Sequence, residues 1–175
     1  MWWKSLNEKT KEDIKFIIIA VIVILFINYG LGLILKTDLP VVAVISESMT
    51  HDKTTEERHY NFLEKEFGYT RDQIDSWPIK NGFRKGDVLV IKGVNESDLK
   101  VGDVIVFSID GQRIPIVHRI VEMDGRIITK GDHNPIIDPW EVEKVHGKVV
   151  FVIPFLGWPK VIFNSIISWI LSIIF

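Results

Sequence analysis

The sequence predicts a mainly β fold: an antiparallel β domain with a small helical insertion, set between an N-terminal transmembrane helix and a C-terminal hydrophobic helix. Three observations lead there. Short segments rich in Val and Ile recur between turn residues. A charge-free apolar run of 20 residues lies near the start, and a second, of 15 residues, lies at the end.

Taken in order, residues 1–15 are polar and carry Lys4, Lys9, Lys11 and Lys15. The run "FIIIAVIVILFINYGLGLIL" (Phe16–Leu35) would span roughly 30 Å as a helix, the thickness of a bilayer's hydrocarbon core. A cleaved signal peptide has a shorter apolar stretch, of about 7 to 15 residues, and is followed closely by a small-x-small site that is missing here. A retained anchor is therefore expected over 16–35. Only Lys36 follows the run closely, so the positive-inside rule puts 1–15 in the cytoplasm and the β domain, 36–155, outside. Residues 156–175 form the C-terminal helix, in which "VIFNSIISWILSIIF" is short for an independent span. It is expected to contact the membrane as a short span, an interfacial helix or a helix packed on the first.

Within the β domain, "DVLVIKG", "DVIVFSID", "QRIPIVHRIVEM", "RIITK" and "GKVVFVI" read as strands, and "LPVVAVIS" as another that ends at Ser46. Six strands suffice for a small barrel or folded sheet. Asp110-Gly111 and Asp124-Gly125 mark hairpins. Residues 51–85 differ: Tyr60, Leu63 and Phe67 share a helical face, and "TRDQ" has the form of a capping box, so this polar stretch is expected to be a helical insertion with a solvated charged face.

Composition narrows the chemistry. A net charge of -2 and no long Lys/Arg block give no electrostatic reason to bind nucleic acid. With no Cys, thiolate nucleophiles and sulfur-bound zinc are excluded. What draws attention is "LPVVAVISESMT", an apolar strand that runs into two serines. Ser48 in a turn would ordinarily be structural, since a serine is a weak nucleophile without a base in hydrogen-bond reach. Of five histidines, His51 opens the polar insertion beside Asp52, His59 lies in a charged helix and His146 in "EKVHGK", all expected at the surface; His133 follows Asp132 in a turn. His118 alone interrupts an apolar strand face, that of Ile114, Ile116 and Ile120. Such a histidine is more often a satisfied core residue than a catalyst. A catalytic one needs an acid to fix its tautomer, and "TKGDHNPIID" offers Asp132 and Asp138.

An apolar anchor, Ser-x-Ser-Met at 46–49, "KGDVLVIKG", "IPIVHRI" and "TKGDHNPIID", in that order, resemble the successive boxes of type I signal peptidases. The His in "VHRI" is similar to the archaeal and endoplasmic-reticulum branch; the bacterial branch has lysine there. The resemblance covers about Leu35 to Phe155. It implies a signal-peptidase-like β domain and a serine endopeptidase that removes signal peptides from exported preproteins, in the cell membrane or the endoplasmic reticulum membrane. Ser48 would be the nucleophile, His118 the general base and Asp138, six residues after Asp132, the acid. Ser46 and Asp132 would support the site or its oxyanion hole, and Met49 would help wall a substrate pocket. No cofactor and no metal are expected. The implied partners are preprotein signal peptides, the lipid bilayer and the protein translocation machinery. Two departures stand out: His51 occupies a position where many members have Pro, and the 51–85 insertion is longer than the loop of compact members. Two other readings fit the residues: a catalytically silent membrane-tethered β domain that binds exported chains, and a metal hydrolase using His118, Asp132, His133 and Asp138.

Overall fold

The computed structural model describes residues 7–163, 165 and 166. Six antiparallel strands form one sheet: β1 (Val41–Ala43), β2 (Val88–Lys92), β3 (Val104–Ser108), β4 (Ile116–Met123), β5 (Ile127–Lys130) and β6 (Lys144–Ile153). Their spatial order, β1-β2-β6-β3-β4-β5, leaves β1 and β5 at the edges. Both Asp-Gly pairs connect neighbouring strands, β3 to β4 and β4 to β5, with Gly111 and Gly125 at positive φ as tight reversals need.

Around β3 and β4 the sheet is buried on both faces because the residues between strands supply two covers. Alternation along β4 sends Ile116, His118 and Ile120 to one side and Val117, Arg119 and Val121 to the other. On the first side Ile120 packs with Leu99, Ile105 and Phe107. On the second, Val121 meets Tyr60, Leu63 and Ile74 of two insertion helices, α3 (Lys53–Phe67) and α4 (Arg71–Asp75). These helices start as the sequence indicates. Asp52 and Thr70 each close a capping box, and Gly68 ends α3 in the left-handed conformation. The insertion therefore contributes a core face of its own.

The N-terminal region is helical throughout its described part, as α1 (Glu8–Leu25), a π turn (Phe26–Gly30) and α2 (Leu31–Leu35). At the π turn the Phe26 ring lies on Gly30, where a Cβ would come within 2.6 Å of it. The single membrane-spanning helix expected over 16–35 is thus not found as one element. Among the described residues no helix is long and apolar enough to cross a membrane: α1 spends its first turns on ionised residues and ends at Leu25. The apolar side chains of Phe16–Ile19, Val21–Phe26, Tyr29, Leu33 and Ile34 are nevertheless exposed. The exit of α2 is fastened to the sheet. Gly93 N–H donates to Leu35 O (2.8 Å), and the exposed Asp38 accepts from Lys144 Nζ (2.7 Å) and pairs with the half-buried His146 at Nδ1 (2.8 Å). The C-terminal helix expected over 156–175 lies mostly outside the described residues; helical turns begin at 158 and are seen over 158–163.

The strand expected to reach Ser46 ends at Ala43. Val44 still exchanges hydrogen bonds with Asp87 O and Gly86 N, at 2.9 and 3.0 Å, but the partner chain turns away there and the ladder stops. The chain rejoins the same partner segment at Met49, whose carbonyl accepts from Phe83 N (3.0 Å), and Thr50 bridges Gly82. Residues 45–48 form a loop pinned at both ends. Gly82 permits this closure: its φ is 62° and a Cβ would lie 2.0 Å from Met49 O. Gly82→Ala should therefore cost about 2 kcal/mol or more, against about 1 kcal/mol for Gly125→Ala, which has positive φ but open space around it. Chemical denaturation of the two variants measures the difference, and equal losses would mean that the close approach is not what Gly82 provides.

Candidate active site

Ser46 and Ser48 point at one another from the pinned loop, with their hydroxyl oxygens 3.2 Å apart. The backbone of Ser48 is held from the far side of the sheet. Its carbonyl accepts from His133 N (2.8 Å), and Gly131 presses so close that a Cβ there would come within 2.8 Å of the same oxygen. Met49 is 1% exposed and sits in the core, and its Sδ accepts from Asp132 N (3.3 Å). The residue expected to line a substrate pocket thus underlies the loop.

His118 and Asp138 meet. Asp138 returns along the free edge of β5, where its N–H donates to Thr129 O (2.8 Å), and its Oδ2 accepts from His118 Nδ1 and from Thr129 Oγ1, both at 2.6 Å. A carboxylate that only accepts assigns the proton to Nδ1 and leaves the lone pair on Nε2. The His118 side chain is 7% exposed, and its Nε2 has no hydrogen-bond partner among the described residues. No hydrogen bond joins it to Ser48 Oγ among the described residues; such contacts are often made only in the substrate complex. Asp138 also lines a pocket of about 970 Å³ with Ile127, Ile137 and Trp140, to which Ser46, Ser48 and His118 do not contribute.

Asp132 belongs to a different cluster, on the Arg119 side of the sheet. Arg119 donates to it twice, from Nε (2.9 Å) and Nη2 (2.7 Å), and His51 Nε2 reaches its Oδ2 at 2.9 Å. Burial alone would raise the Asp132 carboxyl, but the Arg119 charge and the His51 bond outweigh it and hold the group well below the usual carboxylate range. His59 and Lys130 complete the cluster. Lys130 is fully buried, donates to Gly131 O (3.0 Å) and Asp132 O (3.3 Å), lies 3.4 Å from His59 Nδ1, and stands over the Phe62 ring. Burial pushes Lys130 down to about 8 and His59 down to about 4, partly countered in both by Asp132.

His51 and His59, expected in water, are therefore buried against a charged centre. The signal for His59 was present, since it lies four residues before Leu63 on the buried face of α3. Neither Arg119 nor Lys130 was singled out from sequence. The four residues of the metal reading do not converge. His118 pairs with Asp138, Asp132 with Arg119, and His133 Nδ1 donates to Thr50 O (3.3 Å); among the described residues no group of three or more acidic or His side chains could hold a metal ion.

The chain is 30% identical over 105 aligned residues to the signal peptidase complex catalytic subunit SEC11C of Homo sapiens, an alignment covering 51% of this chain and 55% of that protein. To the signal peptidase complex catalytic subunit sec11 of Pyrenophora tritici-repentis it is 33% identical over 107 residues, covering 51% and 61%. These relatives bear out the resemblance read from the sequence boxes. The chain spans about half the length of the curated relatives it matches, and no family model matches it.

The cluster around Asp132 gives stability a pH dependence with a definite sign. His59 takes a proton at about 4 when folded, against 6.5 for an ordinary imidazole, so between those values the unfolded chain binds more protons and stability falls as pH falls, by on the order of 3 kcal/mol in all. Lys130, at about 8 folded against 10.5, acts in the alkaline range with the same slope: stability rises from about pH 8 to 10.5. Unfolding free energies measured across pH should show both limbs. His59→Gln should flatten the acid one and leave the alkaline one.

Proposed function

We propose that this chain is a membrane-anchored serine endopeptidase that removes signal peptides from exported preproteins, with Ser48 as nucleophile and His118 as general base. The observation that carries the reading is the buried His118–Asp138 bond of 2.6 Å, with no hydrogen bond on Nε2 among the described residues, on a chain similar to proteins named as catalytic subunits of a signal peptidase complex. In the reaction, Ser48 Oγ attacks the scissile carbonyl and its proton passes to His118 Nε2. Asp138 stabilises the imidazolium through Nδ1–H and keeps the ring oriented, while Thr129 fixes the carboxylate. The Ser48 N–H and the Ser46 hydroxyl donate hydrogen bonds to the developing oxyanion. His118 then returns the proton to the leaving amine, and water, activated by the same base, releases the acyl group from Ser48.

Edge strand β1 leads directly into the Ser46–Ser48 loop, and its free edge suits an extended substrate that pairs as a further strand. In that arrangement the side chains one and three residues before the cut face the same wall. Small residues there are what the family resemblance implies. Asp132 and Met49 act beneath the loop as supports. The exposed apolar side chains of Phe16–Ile19, Val21–Phe26, Tyr29, Leu33 and Ile34, with right-handed helical backbone carried through the π turn, support a membrane tether; the lysines before the run suit an arrangement in which residues 1–15 are cytoplasmic and the β domain is extracytoplasmic. The relatives are named as subunits of a complex, so partner subunits, and through them the translocation machinery, are proposed for this chain as well.

Cleavage of a preprotein by the detergent-solubilised protein tests the assignment. Ser48→Ala should lose at least about 10⁴-fold in turnover while remaining folded, and Ser46→Ala about 100- to 1,000-fold. Asp138→Asn should keep its fold and lose on the order of 10⁴-fold in turnover. Asp132→Asn should instead lower stability by about 3 to 5 kcal/mol, because it leaves the Arg119 charge buried without its partner. Near-normal turnover in Ser48→Ala, in a preparation free of host peptidase, would support the silent chain-binding reading and end the catalytic one.

A further inference from the structure

We propose that His51 is a positioning residue that fixes the Ser48 turn to the Asp132–Arg119 ion pair; the proposal rests on the serine-peptidase reading above. His51 follows Ser48 by three residues and directs Nε2 at Asp132 Oδ2, 2.9 Å away. The ionised carboxylate can only accept, so the ring donates from Nε2 and the lone pair is on Nδ1. That Nδ1 is fully buried and has no partner among the described residues. A ring placed only to fill space would be replaceable by an apolar one that avoids this cost, so the bond from Nε2 is what the imidazole contributes.

Its effect follows from what the turn is attached to. Ser48 O, Met49 Sδ, Thr50 O and His51 Nε2 all bond to Asp132 or His133. Three of these contacts use the backbone or imidazole of that loop, which can shift together with the turn. The His51 contact alone goes to a carboxylate clamped by Arg119. The ring is also confined on two sides: His59 packs on it with centroids 5.6 Å apart, and a Cβ on Gly82 would fall 2.8 Å from its Cδ2. His51 thus transmits the position of the ion pair to the backbone that carries Ser48. A displacement of about 1 Å at a nucleophile is enough to cost about 100-fold in rate.

The test compares His51→Ala, His51→Phe and His51→Gln in the full-length, detergent-solubilised protein, with kcat and KM measured on one preprotein and folding checked by circular dichroism. His51→Phe keeps the ring without the donor; His51→Gln keeps a donor without the ring. The alanine and phenylalanine variants should lose about 10- to 100-fold in kcat with little change in KM, and the glutamine variant should recover most of the rate. Wild-type turnover in His51→Phe, or a glutamine variant as slow as the alanine one, would overturn the proposal while inactive Ser48→Ala left the peptidase reading standing. Should His51→Ala fail to fold, the other two variants decide the matter. Cleavage by Ser48→Ala would overturn the peptidase reading itself and this proposal with it.

Discussion

The guanidinium of Arg119 is the constraint on which the rest of the site depends. It is 1% exposed, and all five of its N–H groups are used: two on Asp132, and the others on the carbonyls of Pro78, Ile79 and Gly102. Burying a charge this deeply is unfavourable unless every donor is matched, and the planar fork of arginine can match them where a lysine could not. The consequence is geometric. One side chain joins the insertion, the entry to β3 and the loop after β5 to the backbone of β4, and the residue before it on β4 is His118. The backbone that carries His118 is therefore fixed by the charge of its neighbour on the opposite face of the sheet.

The same alternation separates the two aspartates. Asp132 and Asp138 are six residues apart in a loop that begins on one face of β5 and returns along its edge. Asp132 is surrounded by donors and held ionised by Arg119, so it can orient its neighbours but cannot exchange protons near neutral pH. Asp138 has one imidazole and one hydroxyl for company, the environment in which a carboxylate can respond to the charge of the ring it holds. Their surroundings differ, although both lie in the same short loop with Gly131, Asn134 and Pro135.

Much of this was legible in the sequence, for physical reasons that also mark where legibility ends. The strands were found because alternation and Asp-Gly turns are local properties, and His118 stood out as one imidazole that broke an apolar face; the choice of Asp138 over Asp132 came from the family resemblance. The early end of β1 was hidden because it is set by the partner segment turning away at Gly86–Asp87, which no property of residues 41–46 reveals. His51 and His59 were misplaced because their sequence neighbours are charged. Their burial comes from contacts with residues about 70 to 80 positions away. His51, in a position where the resembled family often has proline, shows the difference in means: a ring can fix a turn locally, whereas this chain uses a side-chain bond to a distant charge.

The fastening of α2 to the sheet gives the apolar N-terminal run a structural consequence beyond anchoring. Gly93 accommodates the end of α2 so closely that a Cβ would lie 1.8 Å from Lys36 O, and Asp38 is tied to β6 two residues later. From Leu35 to Ser48 the chain has thirteen residues and can extend no more than about 45 Å, with β1 paired part of the way. Once the apolar run is in a bilayer, the pinned loop is confined to within that distance of the lipid surface and has one orientation towards it. A substrate whose own apolar segment lies in the same bilayer would then meet Ser48 by diffusion in two dimensions. The contacts at Gly93 and Asp38, far from any reacting atom, would set the depth at which the chain is presented.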